Sequence, residues 1–169
     1  MRRAGDERDI YSKPGHLIRR LQQIAVAIFM AETSGFEVTP VQYSALLAVR
    51  NHPGIDQTTL MQIIAFDRST IGEVLGRLEA KHLVKRSVAR SDRRARLLFI
   101  TSSGRRLLSE LTPRVNSVQK AIMAPLKPAE RAYFMQIMKR LVDLNNDHSR
   151  VPLRIDSNPK QGRKTKRAR

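Results

Sequence analysis

Within twelve residues, Lys85, Arg86, Arg90, Arg93, Arg94 and Arg96 are accompanied by a single acid, Asp92. Cations at that density repel one another in a compact chain and become favourable beside a polyanion, whose phosphates they neutralise while counterions are released. Asp92 suits the same chemistry, because a carboxylate can hold a neighbouring arginine in one rotamer through a charge-assisted fork. Little else in the sequence points to a rival reaction. Cysteine is absent, so thiolate nucleophiles, disulfides and cysteine zinc sites are excluded. His16, His52, His82 and His148 are 36, 30 and 66 residues apart, which matches no metal-ligand spacing. We find no glycine-rich phosphate loop, nucleophile elbow or workable pair of catalytic carboxylates, so neither an enzyme nor a cofactor is expected.

The whole chain carries the same sign. Its 169 residues hold 32 Lys and Arg against 15 Asp and Glu, a formal charge of +17, yet 41% are hydrophobic, enough for one domain with a real core. A second basic concentration lies at 151–169, with seven Lys and Arg and one acid, Asp156. This segment is expected to be disordered, serving either as a solubilising tail or as a sequence-blind DNA-contacting arm. No apolar run approaches the roughly 18 residues of a membrane span, and the mixed charges of Met1 to Asp9 precede no apolar signal region. The expected location is the cytoplasm, on the nucleoid.

Periodicity supplies the elements that must carry these charges. From Gly15 to Ala31, Leu17, Ile18, Leu21, Ile24, Ala25, Ile28 and Phe29 recur by threes and fours, which predicts an amphipathic helix. Thr39, Pro40 and Gln42 stand as N-cap, N1 and N3 of a second helix running to about Arg50. Asp56 can cap a third, Gln57 to Ile64, and Asp67 a fourth, Arg68 to Lys81, with Ile71, Val74, Leu75 and Leu78 on one face. Two short helices this close together read as helix-turn-helix, although the turn at Ala65-Phe66 lacks the usual glycine. Apolar residues on both sides of Ser91-Asp92-Arg93-Arg94 predict two strands joined by a charged turn. A fifth helix opens at Thr101-Ser102-Ser103-Gly104 and is expected to kink or break at Pro113. A sixth runs from about Ala129 to Asn146.

The fold class is therefore mainly α with a small β-hairpin wing: a winged helix-turn-helix domain at about 39–101, with dimerisation helices at about 15–35 and 105–148. On the fourth helix, Arg68, Ser69, Thr70, Gly72 and Arg77 are the candidate groove-facing residues, short or basic as base edges and phosphates require. Ser69 and Thr70 can equally be helix caps, and Gly72 and Gly76 either admit close approach to a duplex or have no such role. Arg93 and Arg94 are expected to enter the minor groove, with Lys85, Arg86, Arg90 and Arg96 on flanking phosphates. The terminal helices are more apolar than one small domain needs, which points to a homodimer on a pseudo-palindromic double-stranded DNA operator. An architectural, weakly specific DNA-binding protein is the alternative.

From about Gly15 to Asn146 the sequence resembles the MarR family of winged-helix regulators. The resemblance is carried by Ser69-Thr70-Ile71 through Arg77-Leu78-Glu79, by Leu83-Val84, and by Asp92-Arg93-Arg94-Ala95-Arg96 leading to Ile100-Thr101 and Gly104. It implies a homodimeric repressor released by a small aromatic carboxylic acid, nicotinate-like or phenolic. Pro14 to Gln23 is similar to members that control nicotinate or other aromatic-acid catabolism. His16 and Arg20, four apart on one helix face, together with Tyr43, are the candidate effector ligands, each with an ordinary alternative as a solvated or core residue. Gly72 and Glu73 replace residues common in the family, and His82 stands where a glycine commonly ends the recognition helix, which would strain a left-handed cap.

Overall fold

A threonine, a proline and a glutamine set the start of the helix on which the core is built. The Thr39 hydroxyl accepts from the Gln42 N–H at 3.3 Å, and the Gln42 side-chain oxygen accepts from the Thr39 N–H at 3.1 Å, with Pro40 at N1. Both otherwise orphaned donors are satisfied, as a capping box requires. In the computed structural model, which describes residues 10–89 and 92–154 without the side chains at 89 and 92–95, this helix is α2 (Pro40–Asn51). It follows α1 (Pro14–Glu32) and precedes β1 (Ile55–Asp56), α3 (Gln57–Ile64), α4 (Arg68–Ala80), β2 (Val84–Ala89), β3 (Asp92–Ile100), α5 (Ser102–Met123) and α6 (Pro128–Leu144). Single 3-10 turns span Ile10–Ser12 and Asn146–His148.

The main core joins Ala45, Leu46 and Val49 of α2 to Leu60 of α3, Ile71, Leu75 and Leu78 of α4, Leu98 of β3 and Leu108 of α5. A smaller cluster sets Phe29 of α1 against Val115 and Val118 of α5. Tyr43 packs into both, its ring centroid 6.1 Å from that of Phe29.

The sheet is antiparallel in the order β1-β3-β2. The sequence reading missed β1, because two residues are too few to show a period; Gly54, at φ +81, turns the chain so that Ile55 pairs with Leu98. It also placed the charged turn too late. Asp92, Arg93 and Arg94 belong to β3, since backbone pairing continues along an exposed ribbon whatever its side chains. Val88 is opposite Arg96 but Ala89 is opposite Asp92, so Arg93, Arg94 and Ala95 form an irregular stretch without partners on β2.

The expected interruption at Pro113 is also corrected in part: α5 is one helix from Ser102 to Met123. Leu108, Leu111, Val115 and Val118 are buried along a single face on both sides of the proline, which itself lies on the exposed face. The hydrogen bond that it forfeits is thus lost where water can replace it. At the start of α5, Thr101 caps Gly104 N–H at 3.0 Å and donates its hydroxyl to the His82 carbonyl at 2.7 Å. A Cβ on Gly104 would overlap the Leu83 carbonyl oxygen and lie 2.8 Å from Ile100, so only glycine lets α5 start against the base of the hairpin.

α6 differs from the rest. The Lys127 N–H donates to the Glu130 carboxylate at 2.7 Å to start it, but none of its residues is buried, and Tyr133, Met135, Leu141, Val142 and Leu144 are exposed.

Candidate nucleic-acid interface

Four buried residues fix which side of α4 can meet a partner. Ile71, Val74, Leu75 and Leu78 face the core, which leaves Arg68, Ser69, Glu73, Gly76 and Arg77 exposed and Gly72 half-exposed on the opposite side. This outer face is nearly flat at its centre. A Cβ at Gly72 would come no closer than 3.9 Å to Gln57, and one at Gly76 would meet nothing within 4 Å. Packing therefore asks for neither glycine, although each costs the helix about 1 kcal/mol relative to alanine.

The N-terminus of α4 is organised by Asp67. Its carboxylate accepts from the Thr70 N–H at 2.9 Å, the Ser69 hydroxyl at 2.6 Å and the Thr70 hydroxyl at 2.9 Å. The Ser69 hydroxyl first, then the Thr70 N–H and hydroxyl, hold its pKa at about 2, below the ordinary 3.8. An ionised carboxylate thus already occupies the anion-favouring end of the helix. It also takes the protons of both hydroxyls, so Ser69 and Thr70 donate to the cap, Asp67, instead of being caps themselves, and their oxygens keep lone pairs for accepting. Asp67 was absent from the candidate set. The signal for it was the Asp-x-Ser-Thr spacing, a local side-chain capping pattern.

The hairpin is tied to α4 rather than hanging free. Arg86 Nε lies 3.3 Å from Glu79 Oε2, a strut between β2 and the recognition helix. Arg77 is 3.9 Å from Glu73 in an exposed pair one turn apart. Lys81 donates to the Glu37 carbonyl at 2.8 Å and lies 3.3 Å from its carboxylate; this link spans 44 residues and leaves no trace in local sequence. Lys85 and Arg96 are exposed on the two strands. Arg90 lies outside the described residues, and Arg93 and Arg94 are placed on β3 by backbone only.

His82 adopts φ +55, with its N–H on Glu79 O at 2.8 Å and Leu83 N–H on Leu78 O at 2.9 Å. That is a Schellman cap with histidine in the glycine position, as the resemblance implied. Ala65 closes α3 in the same left-handed region at φ +53, doing without the glycine usual in this turn.

The candidate effector residues are less unified. His16 is half-buried with the Tyr11 ring edge-on at 5.4 Å, Arg20 is exposed and donates to Gln23 at 3.2 Å, and Tyr43 is a bridging core residue. A cleft of about 470 Å³ opens elsewhere, between Gln22 and Val26 of α1, Val41 and Ser44 of α2, and Thr70 and Arg77 of α4. None of the three lines it.

Comparison with known proteins agrees with this architecture. Residues 36–95 match the MarR family. The transcriptional repressor NicR of Pseudomonas putida is 30% identical over 135 residues, 80% of this chain and 85% of its own length. The PcaV regulator of Streptomyces coelicolor, solved with its natural ligand, is 35% identical with a TM-score of 0.75, over 82% of this chain and 98% of its own. BpsR of Bordetella bronchiseptica, whose DNA binding is regulated by 6-hydroxynicotinic acid, is 29% identical with a TM-score of 0.77, over 82% and 99%. A winged helix whose polar recognition face stands clear of the core, shared along most of the chain with these regulators, makes this protein a member of the MarR family of DNA-binding transcriptional regulators and not an enzyme.

Proposed function

We propose that the protein is a homodimeric repressor that grips a pseudo-palindromic operator and leaves it when a small aromatic carboxylic acid binds. The observation that carries this reading is the outer face of α4, polar and glycine-flattened, braced to a basic hairpin by Arg86 and Glu79. Arg68, Ser69, Thr70, Gly72 and Arg77 meet the major groove, while Arg90, Arg93, Arg94 and Arg96 meet the adjacent minor groove and its phosphates, with Arg86 steadying the wing. The uncovered apolar residues of α1 and α6 supply the dimer interface, which sets the two α4 helices about 34 Å apart and the half-sites about 10 bp apart. For the effector, the regulation of BpsR DNA binding by 6-hydroxynicotinic acid supports a nicotinate-like acid, held at its carboxylate by His16 and Arg20 with Tyr43 alongside.

Titration of the purified chain against duplexes from around its own gene tests the reading. A site bound about a thousandfold more tightly than random duplex at physiological salt is the expected result. Equal affinities would make the protein an architectural binder, and a strictly monomeric chain would end the proposal. Aromatic acids added singly to a thermal melt identify the effector, because a ligand that binds the folded chain stabilises it by mass action. Arg20→Ala is expected to abolish that stabilisation and leave operator binding unchanged. An intact response would move the anion site to the cleft beside Arg77.

A further inference from the structure

The exposed residues of α4 are Arg68, Ser69, Glu73, Gly76, Arg77 and Ala80, and Glu73 is the one acid among them. In a chain of charge +17, on the face turned toward DNA, a carboxylate stands against the trend. Phosphates repel it, and it opposes the counterion release that its cationic neighbours supply. The fold does not require it there. Its side chain is 74% exposed and lies 3.9 Å from the equally open guanidinium of Arg77, a kind of pair that contributes little to stability. The other acid of the helix, Glu79, is engaged in the strut to Arg86.

The position of Glu73 gives it a target. Ser69, Glu73, Gly76 and Ala80 recur by fours and threes, so they run along the middle of the face opposite Ile71, Val74, Leu75 and Leu78. Gly72 directly before it and Gly76 three residues after it leave open space, since a Cβ on either would meet nothing closer than 3.9 Å. The helix backbone can therefore approach a base pair closely enough for a side chain with two methylenes to reach its edge. Around Glu73 the hydrogen-bonding sense is uniform. Ser69 and Thr70 have given their protons to Asp67, so the oxygens of Ser69, Thr70 and Glu73 all offer lone pairs. Two base groups donate in the major groove, the N4 amino of cytosine and the N6 amino of adenine. Adenine sets its N7 acceptor beside that amino group and repels a carboxylate, as do guanine N7 and O6 and thymine O4, whereas the cytosine ring has no acceptor there. Resting on the DNA-binding reading above, we propose that Glu73 is a specificity-determining residue of the recognition helix, a carboxylate that selects cytosine in each half-site by accepting from its N4 amino group. Arg77, one turn on, offsets the carboxylate charge as it enters the groove. Glu73 thus weakens the hold on every duplex except one that offers it a donor, a repulsive element that sharpens choice.

The test uses three full-length chains: wild type, Glu73→Gln and Glu73→Ala. Each selects sites from a random duplex pool, and each is titrated against the wild-type site with every base pair varied in turn. Wild type is expected to fix a cytosine at one symmetry-related position in each half-site, and to lose about tenfold or more in affinity when another base replaces it. Glu73→Gln is expected to move the choice at that position alone from cytosine to adenine, whose N6 and N7 an amide reads together. Glu73→Ala is expected to accept all four bases there. Both variants are expected to bind random duplex several-fold more tightly than wild type at low salt, because a charge that repels phosphates is gone. The side chain is exposed, so both variants stay folded, which melting checks. The assignment is overturned if the wild-type site holds no fixed cytosine or if either variant still demands it. It is equally overturned if a variant changes affinity for all sequences by one factor, the mark of a residue that acts only through the charge of the face. A wild-type chain that enriches no sequence at all would instead bring down the regulator reading, and this assignment with it.

Discussion

Asp67 holds three donors with one exposed carboxylate, and its pKa of about 2 has a consequence for acid stability. The folded value lies below the unfolded one, so the stabilisation is complete above about pH 4 and is lost as pH falls from there through about 2. An NMR titration of the Asp67 carboxyl should find that depressed midpoint, and Asp67→Asn should flatten the acid limb of the unfolding curve. A midpoint near 4 would mean that Ser69 and Thr70 do not hold the carboxylate. His82 makes the opposite case, a residue at odds with its backbone. Its φ of +55 strains any side chain, so His82→Gly should raise stability by about 1 kcal/mol in denaturant unfolding. The strain at His82 was legible, because a histidine stood where glycine is usual. The strain at Glu37, with φ +50, was not, since nothing in its neighbours announces the turn.

Elements were legible in proportion to their length and their caps. Thr39, Asp56, Asp67 and Thr101 each accept from the N–H three residues on, and the helices begin where those side chains require. β1 escaped notice because its pairing depends on Leu97 and Leu98, some forty residues from Ile55, and the early start of β3 because backbone pairing runs on through Asp92 whatever the charge of its side chains. Pro113 shows tertiary burial overriding a local breaker, as Leu111 and Val115 are buried on either side of it and α5 continues through it as one element. Two substitutions separate architecture from recognition at this scale. Gly104→Ala should cost about 2–3 kcal/mol, since the methyl meets the Leu83 backbone and Ile100 and overpacking on that order is costly. Gly72→Ala should do the reverse, raising helix stability by roughly 0.5–1 kcal/mol while weakening operator affinity about tenfold or more, because the added methyl stands on the groove-facing surface. Melting and operator titration of the same sample decide it; unchanged affinity would take Gly72 out of the interface.

For the molecule as a whole, what remains uncovered is as informative as what is packed. α6 leaves Tyr133 66% and Leu144 73% exposed, and α1 adds Leu17, Ile18 and Ile24. Apolar side chains in such number on two helices are a liability for a lone chain and an asset for a pair. Leu141→Glu should therefore shift sedimentation from dimer to monomer and abolish operator binding, with the melting of the winged domain nearly unchanged. A dimer that survives this change would place the interface elsewhere. Surplus apolar periodicity in the first and last helices made this level partly legible. The link between Arg154 and Gln62 was not, because 92 residues separate its ends.

Tyr43 belongs to both hydrophobic clusters, with one side toward Phe29 and the α1–α5 pair and the other toward the winged domain. The chain has no tryptophan and three tyrosines, so this ring is a built-in gauge of how the two halves lean on each other. Fluorine placed on the tyrosines would give three resonances, of which the Tyr43 signal should move whenever operator or acid changes that lean, a readout that needs no attached dye and no engineered probe site.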